Sequence, residues 1–306
     1  MKEQNNPLLC DIQTGICEMP QVKSNEAVQL NSETISKPVK VIYFTDPICS
    51  SCWGIEPQLR KLKLEYGDTF EIDYRMGGLL PNWNYNNGTI SKPSDVAEHW
   101  DDVSVYYDMP IDGDVWLEDP LVSSYPPSMA FKAAEMQDKE KAISFLREIR
   151  EMVFLQKKNI TRREHLELAA QRIGLDLDQF KYDYIGKAKE LFNQDLELAK
   201  ELGVRGFPSL FFVDETGNKE FVYGSQPYSV YEKALLTLAP TAKKLEYDLS
   251  WEALFDKYPT ITAKEFTELS GTPRNKSEQL LNELAEKGKL EKWVTKNGSI
   301  WKLKMK

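Results

Sequence analysis

Two cysteines one helical turn apart, Cys49 and Cys52, stand where a hydrophobic run gives way to a helical pattern, in Asp46-Pro47-Ile48-Cys49-Ser50-Ser51-Cys52-Trp53-Gly54. A sulfur at a helix start meets unpaired backbone N–H groups and the positive end of the helix dipole, and both favour a thiolate. The spacing therefore predicts Cys49 as a nucleophile with a depressed pKa. Cys52 is then the thiol that resolves a mixed disulfide formed on it. The two intervening serines can donate hydrogen bonds but carry no charge, and Asp46 would oppose the thiolate if its carboxylate pointed inward. A structural zinc site needs four ligands, and the chain has only four cysteines and two histidines, so no metal is expected. His99 and His165 lie away from the motif and are expected at the surface.

The elements that must position these sulfurs are legible on either side. Val39-Lys40-Val41-Ile42-Tyr43-Phe44 is β-branched and aromatic, as a buried strand is. Ile55, Leu59, Leu62 and Tyr66 recur at helical spacing, Gly67 supplies a stop, and Pro57 must bend that helix. Thr69 to Met76 alternates as a half-buried strand. A crossover through the helix makes the two strands parallel. Strand signals then lapse from Leu79 to about Gly203. Within this stretch Asp95 to Asp119 carries nine acidic residues and no lysine or arginine, among Trp100, Tyr106, Tyr107 and Trp116. It reads as a charged aromatic loop, either a lid or a surface loop anchored by its rings. Helical patterns follow from Met129 to Leu155, after Thr161-Arg162-Arg163-Glu164 as a capping box, and from Lys187 to Leu202. Pro208 then precedes the strand Leu210–Val213, a turn at Asp214–Asn218, the strand Glu220–Tyr223 and a helix from Ser229 to Leu238.

A strand that ends in C-x-x-C at a helix start, followed by helices and then a proline-led hairpin, resembles the thioredoxin superfamily, in its DsbA-like branch with the FrnE-type disulfide isomerases. The resemblance implies an α/β, thioredoxin-like fold over residues 38–240, with a helical insertion at about 90–203. It implies that Pro208 is cis and turns the Phe207 backbone outward to pair with an extended substrate. Trp53 and Gln226, the latter in a G-x-Q-P turn similar to that of FrnE-type proteins, join them as substrate-binding candidates. The function implied is a cytoplasmic thiol-disulfide oxidoreductase or isomerase acting on protein thiols and disulfides. Its only cofactor would be its own redox-active disulfide, with glutathione as a candidate co-substrate. The alternative is a non-catalytic adaptor or regulator that uses the same fold as a binding scaffold. Some Firmicute relatives of this fold present a regulator to a protease, and a DNA-linked redox sensor is a further variant.

Two flanking segments complete the reading. Residues 1–37 form a polar extension in which Cys10 and Cys17 are either a second redox pair, a docking element, or thiols of a flexible arm. Residues 245–306 read as three short helices followed by a hairpin across Lys296-Asn297-Gly298, an order that resembles a winged helix. Thr272 is the expected N-cap of the third helix, and Arg274, Asn275 and Lys276 would begin it. Residues 241–306 hold thirteen Lys plus Arg against ten Asp plus Glu, a balance of +3 in a chain of net charge −9. That weak excess favours protein docking or a structural role there over DNA binding. With 306 residues, 41% hydrophobic and 28% charged, the composition is that of a globular protein, and no apolar run approaches membrane-spanning length.

Overall fold

The computed structural model describes residues 10–11, 15–18, 37–83 and 92–304. The rest of the expected 1–37 extension, including residues 12–14 between Cys10 and Cys17, lies outside the described residues. Within it β1 (Cys10–Asp11) and β2 (Ile16–Glu18) form a small antiparallel hairpin that places Cys10 opposite Cys17.

β3 (Val39–Thr45) buries nearly every side chain because both its faces are covered. It leads into α1 (Ser50–Gly54) and α2 (Glu56–Tyr66), and then into β4 (Phe70–Met76). The expected single helix is thus two. The chain breaks at Ile55 and Pro57 falls in the first turn of α2, where its missing N–H costs nothing. β3 and β4 are parallel from Val39↔Phe70 to Thr45↔Met76.

The segment after β4 is helical: α3 (Pro93–Tyr107), α4 (Val115–Glu118), α5 (Tyr125–Gln137), α6 (Lys139–Phe154), α7 (Arg163–Arg172), α8 (Leu177–Ile185) and α9 (Lys187–Glu201). The acidic stretch expected as a loop is largely α3 and α4. Val96, Trp100, Val103 and Tyr107 bury one stripe of α3 at i, i+4, i+7 and i+11, while Glu98 and Asp102 face outward. Its charges line the outer face of an amphipathic helix. Trp100 and Trp116 meet edge to face at 5.2 Å, and Trp100 lies 4.7 Å from Phe154. Thr161 does not cap α7. Arg162 holds the cap position, and the Thr161 hydroxyl donates to Asn159 Oδ1 instead.

The chain returns with β5 (Gly206–Phe207), β6 (Ser209–Asp214), β7 (Lys219–Tyr223) and α10 (Tyr228–Leu238). Among the described residues the main sheet runs β4-β3-β6-β7, with β6 antiparallel to both neighbours. Strand, helix, strand, then hairpin and helix, with helices inserted between the halves, is a thioredoxin-like plan. β5 leaves this sheet and pairs with β2 instead.

The last residues form α11 (Trp251–Lys257), β8 (Thr260–Thr262), α12 (Ala263–Ser270), α13 (Arg274–Glu286), β9 (Leu290–Thr295) and β10 (Gly298–Leu303), with the antiparallel sheet ordered β8-β10-β9. Pro273 rather than Thr272 occupies the cap position of α13, and the Thr272 carbonyl accepts from Ser277. A cluster of its own, including Leu254, Phe266, Leu281 and Trp301, fills this unit. Polar contacts fix it to the first unit. Glu265, fully buried, takes both guanidinium nitrogens of Arg147 at 2.7 and 3.1 Å and lies 3.1 Å from Arg60. Arg274 donates to Asp108 at 2.7 Å, and Lys296 donates to Asp114 at 2.8 Å and to Asp101.

Candidate functional site

Cys49 is the residue at which β3 hands over to helix. Asp46 makes the turn: its carbonyl accepts from the Cys49 N–H at 3.2 Å, and its carboxylate accepts from Ile48 N at 3.0 Å, Leu79 N at 2.8 Å and Ser124 Oγ at 2.8 Å. Those bonds turn the carboxylate toward Leu79 and Ser124. Burial nevertheless raises its pKa to about 6, against the lowering effect of these donors and of Arg150. The Cys49 sulfur is itself the N-cap of α1, accepting from Cys52 N at 3.1 Å.

Cys49 and Cys52 are free thiols, and both are fully buried. Burial pushes the Cys49 thiol well above its ordinary range, and its hydrogen bond to Cys52 and the charge there add to the rise. Burial opposes ionisation of Cys52 as well, but the bond from Cys49, the charge of Arg150 and the hydroxyls of Thr45 and Tyr43 outweigh it and hold Cys52 low. Of the two, Cys52 is therefore the thiol whose ionisation is favoured, the reverse of the expected depressed Cys49. The local dipole effect is present, but covering the sulfur removes the solvation that would let it act.

What covers it is β2. Cys17 is disulfide-bonded and fully buried, and its Sγ lies 3.5 Å from Cys49 Sγ. The same sulfur is 3.4 Å from Ser51 Oγ, which shares a 2.7 Å hydrogen bond with Tyr107 OH. Across β2, Cys17 pairs with Phe207 and Glu18 with Gly206. The Phe207–Pro208 bond is cis. The Phe207 backbone does pair with an extended segment, and that segment belongs to this chain. Its ring is fully buried against Gly77, where a Cβ would stand 1.8 Å from the ring's Cζ.

The other expected site residues are elsewhere. Trp53 is core: its Nε1 donates to the Pro110 carbonyl at 3.1 Å, its ring stacks on Phe154, and the Arg147 guanidinium lies 4.3 Å from its centroid. Gln226 is half-buried and folds its amide back onto the Tyr223 carbonyl at 3.0 Å, while its neighbour Ser225 donates to Gly15 in the hairpin turn at 3.0 Å. His99 is buried on α3 with its pKa lowered to about 4 by that burial, rather than exposed. His165 is half-buried, with Nδ1 2.8 Å from the Asn159 carbonyl.

The sequence reading did not single out Arg150, which is fully buried and donates to Thr45 Oγ1 at 2.6 Å, to the Asp46 carbonyl at 3.3 Å and to Glu56. Its signal was available. Leu146, Ile149, Arg150, Val153 and Phe154 make one buried helical stripe, and an arginine on such a stripe needs partners that only the fold supplies. Among the described residues no cluster of His, Cys, Asp and Glu is arranged to hold a metal ion, and no helix is long and apolar enough to cross a membrane.

Comparison with known proteins bears on both fold and function. A family model described as Thioredoxin matches residues 43–233. The cytosolic disulfide reductase DsbM of Pseudomonas aeruginosa superposes with a TM-score of 0.53 at 21% identity, over 65% of this chain and 99% of that one. A Nitrosomonas europaea protein described as a disulfide isomerase gives 0.56 at 21% identity, over 67% and 97%. These likenesses establish the DsbA-type fold and nothing further. Curated relatives are more similar in sequence. The ClpXP adapter protein SpxH of Halalkalibacterium halodurans is 35% identical over 99% of both chains, and that of Bacillus subtilis is 32% identical over 87% of this chain and 89% of its own. A third, from Shouchella clausii, is 31% identical over 96% of each. The expectation of an oxidoreductase or isomerase, and of an enzyme at all, is overturned by these relatives, which are named adapters. The FrnE-type placement gives way with it. The chain belongs to the thioredoxin family, in the branch of the SpxH proteins.

Proposed function

We propose that this chain is a non-catalytic adaptor that delivers a client protein to the ClpXP protease in the cytoplasm. The observation that carries the reading is the 35% identity to an SpxH over 99% of both chains, which takes in the C-terminal unit as well as the thioredoxin fold. The burial of Cys49 beneath β2 supports it, since an exchange enzyme must present that sulfur to other proteins.

We read the C-terminal unit as winged-helix-like and as a scaffold for protein contacts. Arg274 and Lys296, two of the cations that would face a duplex, are engaged by Asp108, Asp101 and Asp114 of the first unit, which argues against DNA as its partner. Protein half-lives in cells with and without this chain test the proposal. At least one protein should be degraded faster only when both the chain and ClpXP are present, and a Cys49→Ser/Cys52→Ser variant should restore that degradation. Failure of the double variant to restore it, with the chain folded and present at wild-type level, would return the dithiol to the centre of the function.

A further inference from the structure

The N-terminal hairpin occupies the edge on which a thioredoxin-like fold receives an extended peptide, and it brings a disulfide sulfur to the free thiol of Cys49. Three observations converge there. Cys17 pairs with Phe207 in register, its sulfur is 3.5 Å from Cys49 Sγ, and Cys52 N donates to Cys49 Sγ at 3.1 Å from one turn on. The hairpin is seated by its turn as well. Gly15 adopts φ +63 and lies so close to Ser225 that an added Cβ would fall 2.5 Å from the Ser225 Cβ. This is a fitted surface with a reactive pair at its centre.

We propose that Cys17, Cys49 and Cys52 form an intramolecular relay that passes the hairpin's disulfide to the C-x-x-C pair and so uncovers the Gly206–Phe207 edge for a partner strand. Cys49, whose thiol already donates toward Cys17 Sγ at 3.5 Å, loses its proton and becomes the nucleophile. It attacks Cys17 Sγ. The Cys17–Cys49 bond forms as Cys17's original disulfide breaks, and the electron pair leaves on the other sulfur of that disulfide, which takes up a proton. Cys52, once deprotonated, attacks Cys49. The Cys49–Cys52 bond forms, the Cys17–Cys49 bond breaks, and Cys17 leaves as a thiolate that is then protonated. Ser51 Oγ, 3.4 Å from the Cys17 sulfur and held by Tyr107, is placed to donate to it as it leaves. One disulfide and two thiols enter and the same leave, so no external oxidant or reductant is needed. The relay does not depend on the adaptor reading, because its readout is the chain's own disulfides.

The test uses the full-length chain with one disulfide per molecule, equilibrated without oxygen or added thiol, capped in acid and mapped by mass spectrometry. In Cys52→Ser the second step is blocked, so the Cys17–Cys49 linked peptide should accumulate to about tenfold its wild-type level. In the wild type the Cys49–Cys52 peptide should appear beside the original disulfide, with faster amide exchange at Gly206–Phe207 in that fraction. A Cys52→Ser chain that melts like the wild type yet keeps Cys17 in its original disulfide and Cys49 free would overturn the relay. Should that variant not fold, a wild type that never forms Cys49–Cys52 would overturn it equally.

Discussion

Asp46 and Cys49 show how burial reverses what local sequence favours. Each sits at a strand-to-helix turn whose N–H donors stabilise an anion, and yet burial raises the pKa of Asp46 to about 6 and pushes Cys49 upward. For Asp46 the consequence for stability has a definite sign. Its folded pKa lies above the unfolded value of 3.8, so the contribution is fully present below that pH and is lost as pH rises through about 6. The loss is about 3 kcal/mol, on the scale of 1.36 kcal/mol per pKa unit. A carboxyl carbon signal from Asp46 in NMR should titrate near pH 6; a midpoint near 3.8 would show that its hydrogen bonds outweigh burial.

At the scale of elements, the hairpin β1–β2 and the short β5 form one layer over α1. Residues 1–18 removed, Cys49 loses its cover. Its rate of alkylation in the native protein should rise by at least about tenfold, as for a group released from local-opening control. An unchanged rate would mean that something other than β2 shields the sulfur. Gly77 serves the same layer from beneath. Gly77→Ala places a methyl 1.8 Å from the Phe207 ring, so the ring and with it β5 must shift. A destabilisation of about 1–3 kcal/mol in urea unfolding is expected from such overpacking. It should be accompanied by faster Cys49 alkylation, since β5 carries β2. Destabilisation with no change at Cys49 would separate the two elements.

Across the whole molecule, the two units are joined through Glu265, which has no solvent to replace Arg147 and Arg60 if either is lost. Glu265→Ala leaves two buried guanidinium groups short of their partner, and a cost of about 3–5 kcal/mol follows for breaking a buried pair. Limited proteolysis should then release a C-terminal fragment, with the thioredoxin unit left intact. Those arginines hold the pKa of Glu265 below its unfolded value of 4.5, although burial acts in the opposite direction. Its contribution is therefore present above pH 4.5 and is lost as pH falls through the lower folded value, so the units should part in acid before the main sheet melts. Separation that shows no dependence on acid in the wild type would remove Glu265 as the fastening.

Much of this architecture is local in origin and was readable without coordinates. The both-sides-buried β3, the half-buried β4, the C-x-x-C at a helix start and the Asn297-Gly298 hairpin each follow from side-chain period or backbone chemistry within a few residues, whereas the cis Pro208 was implied by the family resemblance. The stripe Val96, Trp100, Val103 and Tyr107 was equally local, but the density of acidic residues around it hid the helix. What the sequence could not settle is whatever depends on which surfaces meet. That Cys17 docks on Phe207, that Trp53 faces Phe154 rather than a substrate, and that Arg274 finds Asp108 are contacts between residues far apart in the chain. A cysteine's reactivity is set by solvation and by charges brought to it from other elements, here β2 and the Arg150 of α6. The spacing of Cys49 and Cys52 determines that a disulfide between them is feasible; the tertiary structure decides that the site is closed.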